Sequence, residues 1–186
     1  MLEDSQIIGL YWARDPEAIS ETDVKYGKYC TRIAVNILES SSDAEECVND
    51  TYLRTWDTIP PQRPDSFPSF LGRIIRNIAL DRYRYNNAQK RSSKMDVMFS
   101  ELEGCIPASS RAEDVLELHE VTEIINTFLA SLSEEKRIIF VQRYWYAQPL
   151  REIAERFGMT EGQVKSILHR LRTALRKALE KEGVSV

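Results

Sequence analysis

The stretch REIAERFGMTEGQVKSILHRLRTALRKAL, residues Arg151–Leu179, decides the fold at the C-terminal end of the chain. It predicts a short helix with Pro149 in its first turn, where the missing N–H of proline leaves no hydrogen bond unmade. Gly158 suits the C-terminal cap of that helix. Thr160 and Gln163 form a capping box that starts a longer helix. A short helix, a glycine turn and a second helix make the helix-turn-helix pattern.

The longer helix separates apolar from charged side chains when residues are placed at 100° intervals. One side carries Val164, Ile167, Leu168, Leu171, Ala174, Leu175 and Ala178. The other carries Lys165, Ser166, His169, Arg170, Arg172, Thr173, Arg176 and Lys177. Phosphates line a DNA major groove, so early polar residues of such a helix suit base edges and later arginines suit phosphates. The alternative is a solvated surface helix, but such helices usually mix charge signs, and residues 165–177 contain no carboxylate.

Composition is typical of a soluble globular protein, with 42% hydrophobic and 29% charged residues in 186. No apolar run approaches the ~20 residues of a membrane span, and the acidic N-terminus does not resemble a secretory signal. Cys30, Cys47 and Cys105 form no C-x-x-C pair. We therefore expect a cytoplasmic protein with no metal site, no cofactor and no membrane insertion.

The formal net charge of −4 conceals alternating blocks. Residues 1–69 and 95–132 are strongly acidic. Residues 70–94 contain 7 Lys/Arg against 1 Asp/Glu, and residues 133–179 contain 10 against 5. Each basic block can meet phosphate although the whole chain is acidic, so net charge does not exclude a nucleic-acid partner.

Helical patterns dominate the N-terminal half. YGKYCTRIAVNIL has helical spacing, and Ser42 with Glu45 suggests a capping box at the start of the next helix. The segment 58–68 contains four of the seven prolines and predicts a loop. A basic helix follows, from about Ser69 to Tyr85 or slightly beyond.

An acidic, polar stretch with little periodicity, SSKMDVMFSELEGCIPASSRAED, then predicts a linker. Helical patterns resume near Ala112 and continue to about Glu182. The predicted fold is all-α, with two small helical domains at 1–93 and 112–186 joined by a flexible acidic linker at 94–111.

Two helices of the first domain carry candidate interfaces. In DAEECVNDTYLRTW, helical spacing buries Ala44, Cys47, Val48, Thr51 and Thr55 and turns Glu46, Asn49, Asp50 and Leu53 outward. Leu53, with Trp56 nearby, is either a partner's anchor or an ordinary exposed leucine, and the pattern alone leaves both open.

The basic helix buries Phe70, Leu71, Ile74, Ile75, Ile78 and Ala79. It presents Arg73, Arg76, Asn77, Arg82, Tyr83 and Arg84. Arginines bind phosphates and tyrosine rings stack on bases, which suits single-stranded nucleic acid. The alternative is a solvated helix in which Asp81 pairs with a neighbouring arginine.

These blocks, in this order, closely resemble bacterial sigma factors of the extracytoplasmic-function group, from about Glu17 to Leu179. The resemblance implies two helical domains, sigma-2 and sigma-4, and no catalytic site. It implies core RNA polymerase and promoter DNA as partners and leaves an anti-sigma factor open. The implied function is promoter-specific initiation: sigma-2 opens and reads the minus-10 element, and sigma-4 reads the minus-35 element as duplex.

By motif, the resemblance assigns three sets of site residues. The set that docks on polymerase is Glu46, Asn49, Asp50, Leu53 and Trp56. The minus-10 set is Arg76, Asn77, Asp81, Arg82 and Arg84, to which the outer face of the basic helix adds Arg73 and Tyr83. The minus-35 set is Thr160, Gln163, Lys165, Ser166, His169, Arg170 and Arg172. The proline-rich loop matches the segment that, in the family, captures a flipped base.

Two other classes of function compete with this one. A self-sufficient DNA-binding regulator needs only the helix-turn-helix, and the N-terminal blocks favour the sigma factor over it. An enzyme has little support, because His119 and His169 lack any triad or metal-ligand spacing. Departures from the family pattern, EECVND and FLGR, leave promoter identity open.

Overall fold

The computed structural model describes residues 1–87, 98, 100–102, 115–182 and 184, apart from the side chains of residues 87 and 115–120. All regular structure in these residues is helical, which confirms the all-α prediction. The chain divides into two compact units, Met1–Arg91 and Ser92–Val186. Within the described ranges, no helix is long and apolar enough to cross a membrane.

The N-terminal unit is a cluster of four helices: α1 (Asp4–Trp12), α2 (Glu17–Leu38), α3 (Ser41–Thr58) and α4 (Phe67–Asn87). Helices α2, α3 and α4 pack against one another, and α1 packs against α2. The sequence did not predict α1, because only three side chains of this short helix are buried and they form no extended periodic pattern.

The starts of α3 and α4 differ from prediction. Ser40, not Ser42, caps α3, and its hydroxyl accepts the Asp43 N–H at 3.3 Å. Consecutive serines offer several possible caps, and Ser40 is the one whose backbone is extended, as a cap requires. Helix α4 begins at Phe67, two residues before the expected Ser69, and buries the Phe67 ring almost completely.

The predicted core faces of these two helices are largely confirmed. All five inward residues of α3 are buried, from Ala44 to Thr55. On α4 the predicted core residues are buried, except that Ile78 is half-buried. Tyr83 is the correction: we expected it on the outer face, but it is only 6% exposed. A large ring at the edge of an apolar stripe is buried wherever neighbouring helices cover that edge.

The C-terminal unit contains α5 (Val115–Ser131), α6 (Glu134–Tyr144), α7 (Leu150–Phe157) and α8 (Glu161–Lys181). Helix α8 packs against the other three. Its buried stripe is Val164, Leu168, Leu171, Leu175 and Leu179, at the expected helical spacing. Ala174, which the pattern placed on the apolar side, is exposed.

The helix-turn-helix has the predicted local chemistry, except that Pro149 is the N-cap of α7 rather than a residue of its first turn. Gly158 caps α7 with φ 64°, a left-handed conformation that glycine adopts without strain. The Met159 N–H donates to the Ala154 carbonyl at 2.9 Å and closes the turn. Thr160 and Gln163 form the expected capping box at the start of α8.

Part of the predicted linker is helical rather than irregular. Met98 and residues 100–102 lie in helical conformation and belong to the C-terminal unit. Met98 is only 2% exposed. The other residues of the predicted 94–111 linker lie outside the described residues.

Candidate nucleic-acid and partner interfaces

The outer face of α8 begins with residues that build the helix itself. The side-chain oxygen of Gln163 accepts the Thr160 N–H at 2.7 Å, and the Thr160 hydroxyl accepts the Gln163 N–H at 3.3 Å. Both side chains are exposed. These two members of the predicted minus-35 set therefore stabilise the N-terminus of α8 and place that positive helix end at the surface.

The next residues of α8 form an exposed polar surface. Lys165, Ser166, His169 and Arg170 are all exposed. The Ser166 hydroxyl donates to the Gly162 carbonyl at 2.9 Å, which leaves its lone pairs facing solvent. Arg170 donates from Nε to the Ser166 carbonyl at 3.2 Å, a bond that does not use its terminal nitrogens. This surface carries donors and positive charge suited to a major groove.

Arg172 differs from the other predicted minus-35 residues. Its side chain is only 17% exposed, and its guanidinium lies 3.4 Å from the Glu101 carboxylate. It also donates to the Tyr144 hydroxyl. The sequence did not predict that Glu101, Arg143 and Tyr144 cluster around Arg172, because no local pattern links residues so far apart in the chain.

The predicted minus-10 residues of α4 separate into four groups. Arg73 and Asn77 are exposed, and the Arg73 guanidinium lies 5.8 Å from the centre of the Phe70 ring. Arg84 pairs with Asp81 at 3.0 Å, and both side chains are exposed to solvent. This is the ion pair expected if α4 were only a solvated surface helix. An exposed ion pair contributes little to stability, however, so Arg84 can exchange Asp81 for a phosphate.

Arg76 and Tyr83 are the less accessible members. Arg76 is half-buried, and burial, followed by the nearby charge of Arg84, lowers its pKa from the ordinary arginine value. Tyr83 is buried. The exposed ring on this helix is Tyr85, at 83%. The stacking role that the pattern suggested for tyrosine is therefore available to Tyr85 and not to Tyr83 in this conformation.

Arg82 is engaged inside the unit. Its two terminal nitrogens bind both oxygens of Glu46 on α3, at 2.9 Å and 2.6 Å, and Asp43 lies 3.8 Å away. The hydrogen bond from Arg82, followed by its charge, lowers the pKa of Glu46. Glu46, predicted to contact polymerase, and Arg82, predicted to contact DNA, therefore bind each other.

The outward face of α3 retains a compact surface. Asn49 is exposed, Asp50 is half-buried and Leu53 is 59% exposed. Trp56 is half-buried, because Arg14 covers it: the guanidinium lies 5.3 Å from the ring centre and donates to the Trp56 carbonyl at 2.7 Å. The structure leaves Leu53 as the large apolar side chain on this acidic face.

Comparisons with known proteins match both units. The family described as "Sigma-70 region 2" matches residues 24–89, and "Sigma-70, region 4" matches residues 128–177. "ECF RNA polymerase sigma factor SigL" of Mycobacterium tuberculosis is 30% identical over 162 residues, covering 83% of this chain and 84% of SigL. "ECF RNA polymerase sigma factor SigW" of Bacillus subtilis is 29% identical and covers 83% of each chain.

Among solved structures, "Structure of CnrH in complex with the cytosolic domain of CnrY" aligns with 96% of this chain and 97% of that chain. The TM-score is 0.44 and the sequence identity is 20%, a likeness too low to carry weight.

Proposed function

The chain belongs to the ECF RNA polymerase sigma factors of the sigma-70 family, and from that premise we propose which of its surfaces meets each partner. As a member of this family, the protein binds core RNA polymerase and promoter DNA and directs promoter-specific initiation of transcription. Region 2 serves the minus-10 element and region 4 the minus-35 element.

The proposed domain division follows the two matched regions. Residues 1–93 bind polymerase and melt and read the minus-10 element, and residues 112–186 read the minus-35 element. Residues 94–111 join them, although Met98 and residues 100–102 of this segment belong to the C-terminal unit. The proposed role needs no catalytic group or cofactor, because the phosphodiester chemistry belongs to the polymerase. Its proposed place of action is the cytoplasm, and an anti-sigma partner stays a prediction.

The polymerase-binding surface is proposed to centre on Leu53. An exposed leucine within an acidic face gives a partner one apolar anchor and a charged rim, the arrangement typical of hot spots. Asn49 and Asp50 form the accessible part of that rim. Glu46, which is exposed but held by Arg82, and Trp56, which Arg14 covers, adjoin this surface.

The minus-10 surface is proposed to lie along the exposed side of α4. Arg73 and Arg84 bind phosphates of the melted strand, Asn77 offers hydrogen bonds to a base, and the exposed Tyr85 ring provides a stacking platform. Arg82 acts as a positioning residue through Glu46, and the buried Tyr83 supports the helix from beneath.

The minus-35 surface is proposed to be the outer face of α8. Lys165, Ser166 and His169 lie within the first two and a half turns, the part of a recognition helix that enters the groove first. Arg170 and Arg172 follow and suit phosphates of the groove wall. The capped N-terminus at Thr160 adds the positive end of the helix dipole.

One observation carries this proposal: regions 2 and 4 match in the family's order, each on a unit with an exposed basic helix. Run-off transcription tests it, with purified core RNA polymerase, the full chain and a library of promoter fragments. We expect initiation at a defined subset of fragments only when the chain is present. Tight, sequence-specific duplex binding without any effect on initiation would instead support a self-sufficient regulator.

A further inference from the structure

One carboxylate, that of Glu101, meets three side chains of the C-terminal unit. The Tyr144 hydroxyl donates to Glu101 Oε2 at 3.0 Å and accepts a hydrogen bond from Arg172. Arg172 Nη1 itself lies 3.4 Å from the same oxygen. Arg143 Nη2 lies 3.6 Å from the other oxygen, Oε1. We call Arg143, Tyr144 and Arg172 the carboxylate site.

The side chains of the carboxylate site are largely buried in the C-terminal unit. Arg143 is 8% exposed and Tyr144 is 5% exposed. Burial raises the pKa of Tyr144 to about 12, so its hydroxyl stays protonated and remains a donor at neutral pH. Two positively charged side chains and one hydroxyl donor, all largely shielded from water, form a site for an anion.

Glu101 fills this site incompletely. The 3.6 Å separation from Arg143 is an ion pair without a good hydrogen bond. Arg143 donates from Nη1 to the Gln148 carbonyl at 3.3 Å, and among the described residues its buried Nε has no hydrogen-bond partner. A partly satisfied polar network gains little net free energy from its carboxylate, because desolvation offsets most of the attraction. The Glu101 carboxylate is therefore one that another anion can replace.

Arg172 lies on the same side of α8 as the proposed DNA-binding residues. Lys165, His169, Arg172 and Arg176 are spaced by four, three and four residues, so they follow one stripe along the helix. Lys165, His169 and Arg176 are exposed, whereas Arg172 is held by Glu101. The ion pair with Glu101 thus removes one cation from the middle of that stripe.

We propose that the carboxylate site docks the helical segment at Met98 and 100–102, and that Glu101 competes there with a DNA phosphate for Arg172. The proposal rests on the proposed role of α8 in duplex binding. The buried Met98 and the complementary charge of Glu101 identify the chain's own segment as the occupant. Release of this segment exposes Arg172 and lets the helix bind one more phosphate.

Glu101→Gln in the full chain tests the proposal. It preserves shape and removes the charge. Glu180→Gln is the matched control, because it loosens Arg176 on the same helix from an exposed pair with a close sequence neighbour. Two quantities are measured: hydrogen exchange of the amides at 98–102, and affinity for a short duplex carrying a minus-35 sequence selected by the holoenzyme, over a range of salt concentrations.

We expect Glu101→Gln to speed exchange at 98–102, to tighten duplex binding and to steepen its salt dependence by about one unit of slope, the value for one added phosphate contact. Adding Arg172→Ala to Glu101→Gln should abolish the increase in affinity. The control should leave exchange at Met98 and 100–102 unchanged and should tighten duplex binding less, because its exposed pair already opens readily to a phosphate. Exchange across α7, which lies in the same unit as the substituted residues, reports whether each variant is folded.

Unchanged exchange at 98–102 in Glu101→Gln would overturn the docking. Faster exchange with equal or weaker duplex binding would overturn the competition for Arg172. Failure of the proposed function can be distinguished from failure of this proposal. It would appear as a lack of promoter-specific initiation by the wild-type chain, whatever the result of the exchange measurement.

Discussion

The guanidinium of Arg82 on α4 binds the carboxylate of Glu46 on α3 with both terminal nitrogens, at 2.9 Å and 2.6 Å. Nearby, the Asn86 amide donates to Asp43 at 3.1 Å, so a second bond joins the same two helices. The first half of α3 and the last half of α4 are thus tied by polar contacts. This tie orients the proposed minus-10 helix relative to the proposed polymerase-binding helix.

The first prediction concerns that bidentate pair. Arg82→Lys keeps the charge but loses the bidentate geometry, and Glu46→Gln loses the charge. We expect both to reduce initiation, and the double variant to be no worse than the poorer single one, since each removes the same interaction. Run-off transcription with the four proteins measures the coupling. Arg151→Lys, in the exposed pair with Glu155, is the control. Additive losses would show that each residue meets its own partner.

The second prediction is the pH dependence of this pair. Arg82 lowers the pKa of Glu46 in the folded state. The contribution to stability is therefore full above the unfolded pKa and is lost as the pH falls through the folded pKa. The stability difference between wild type and Glu46→Gln should be present at neutral pH and disappear in acid. Denaturant unfolding across the acidic range measures it, and a difference that grows in acid would contradict the assignment.

The third prediction concerns Leu53. Leu53→Asp should weaken binding to core RNA polymerase by about 2 kcal/mol or more, because a central apolar anchor is removed. Its helicity and melting temperature should stay close to wild type, since the side chain is exposed. Val24→Asp is the control, because Val24 is a similarly exposed apolar residue on α2. Equal losses in both variants would remove any special role for Leu53.

The fourth prediction concerns the turn between α7 and α8. Gly158 has φ 64°, and a Cβ there would meet no atom within 4 Å, so only backbone conformation opposes a side chain. Gly158→Ala should cost about 1 kcal/mol, and Gly158→Asn less, because asparagine tolerates the left-handed region. Hydrogen exchange of amides in α7 and α8 measures the local destabilisation. An alanine variant as protected as the asparagine one would contradict the reason given.

The fifth prediction separates base readers from phosphate binders on α8. Lys165→Ala and Ser166→Ala should change the preferred minus-35 sequence, by about 1–3 kcal/mol for each base that is no longer read. Arg170→Ala should weaken all promoters alike and flatten the salt dependence by about one unit of slope. Selection from randomised minus-35 sequences with the holoenzyme decides between them. Recovery of the wild-type motif by the first two variants would show that the base readers lie elsewhere.

The features that were predicted correctly from the sequence depend on interactions between residues close together in the chain. The stripe from Val164 to Leu179, the left-handed Gly158 and the box of Thr160 with Gln163 each depend on residues a few positions apart. Periodicity and capping therefore determine them, whatever the rest of the chain does. The same holds for the inward faces of α3 and α4. The sequence misplaced the cap of α3 because three neighbouring serines compete for it locally.

Tertiary structure alone decided which charged side chains remain available. Arg82 and Arg84 look alike in sequence, yet Arg82 is held by a carboxylate 36 residues away and Arg84 by one three residues away in solvent. Arg172 lies in a cationic stripe, yet its partner Glu101 is 71 residues distant. A helical pattern records which side of a helix a residue occupies, but not what the packed fold brings against that side. The availability of a charge depends on that distant partner, so it emerges only when the helices pack.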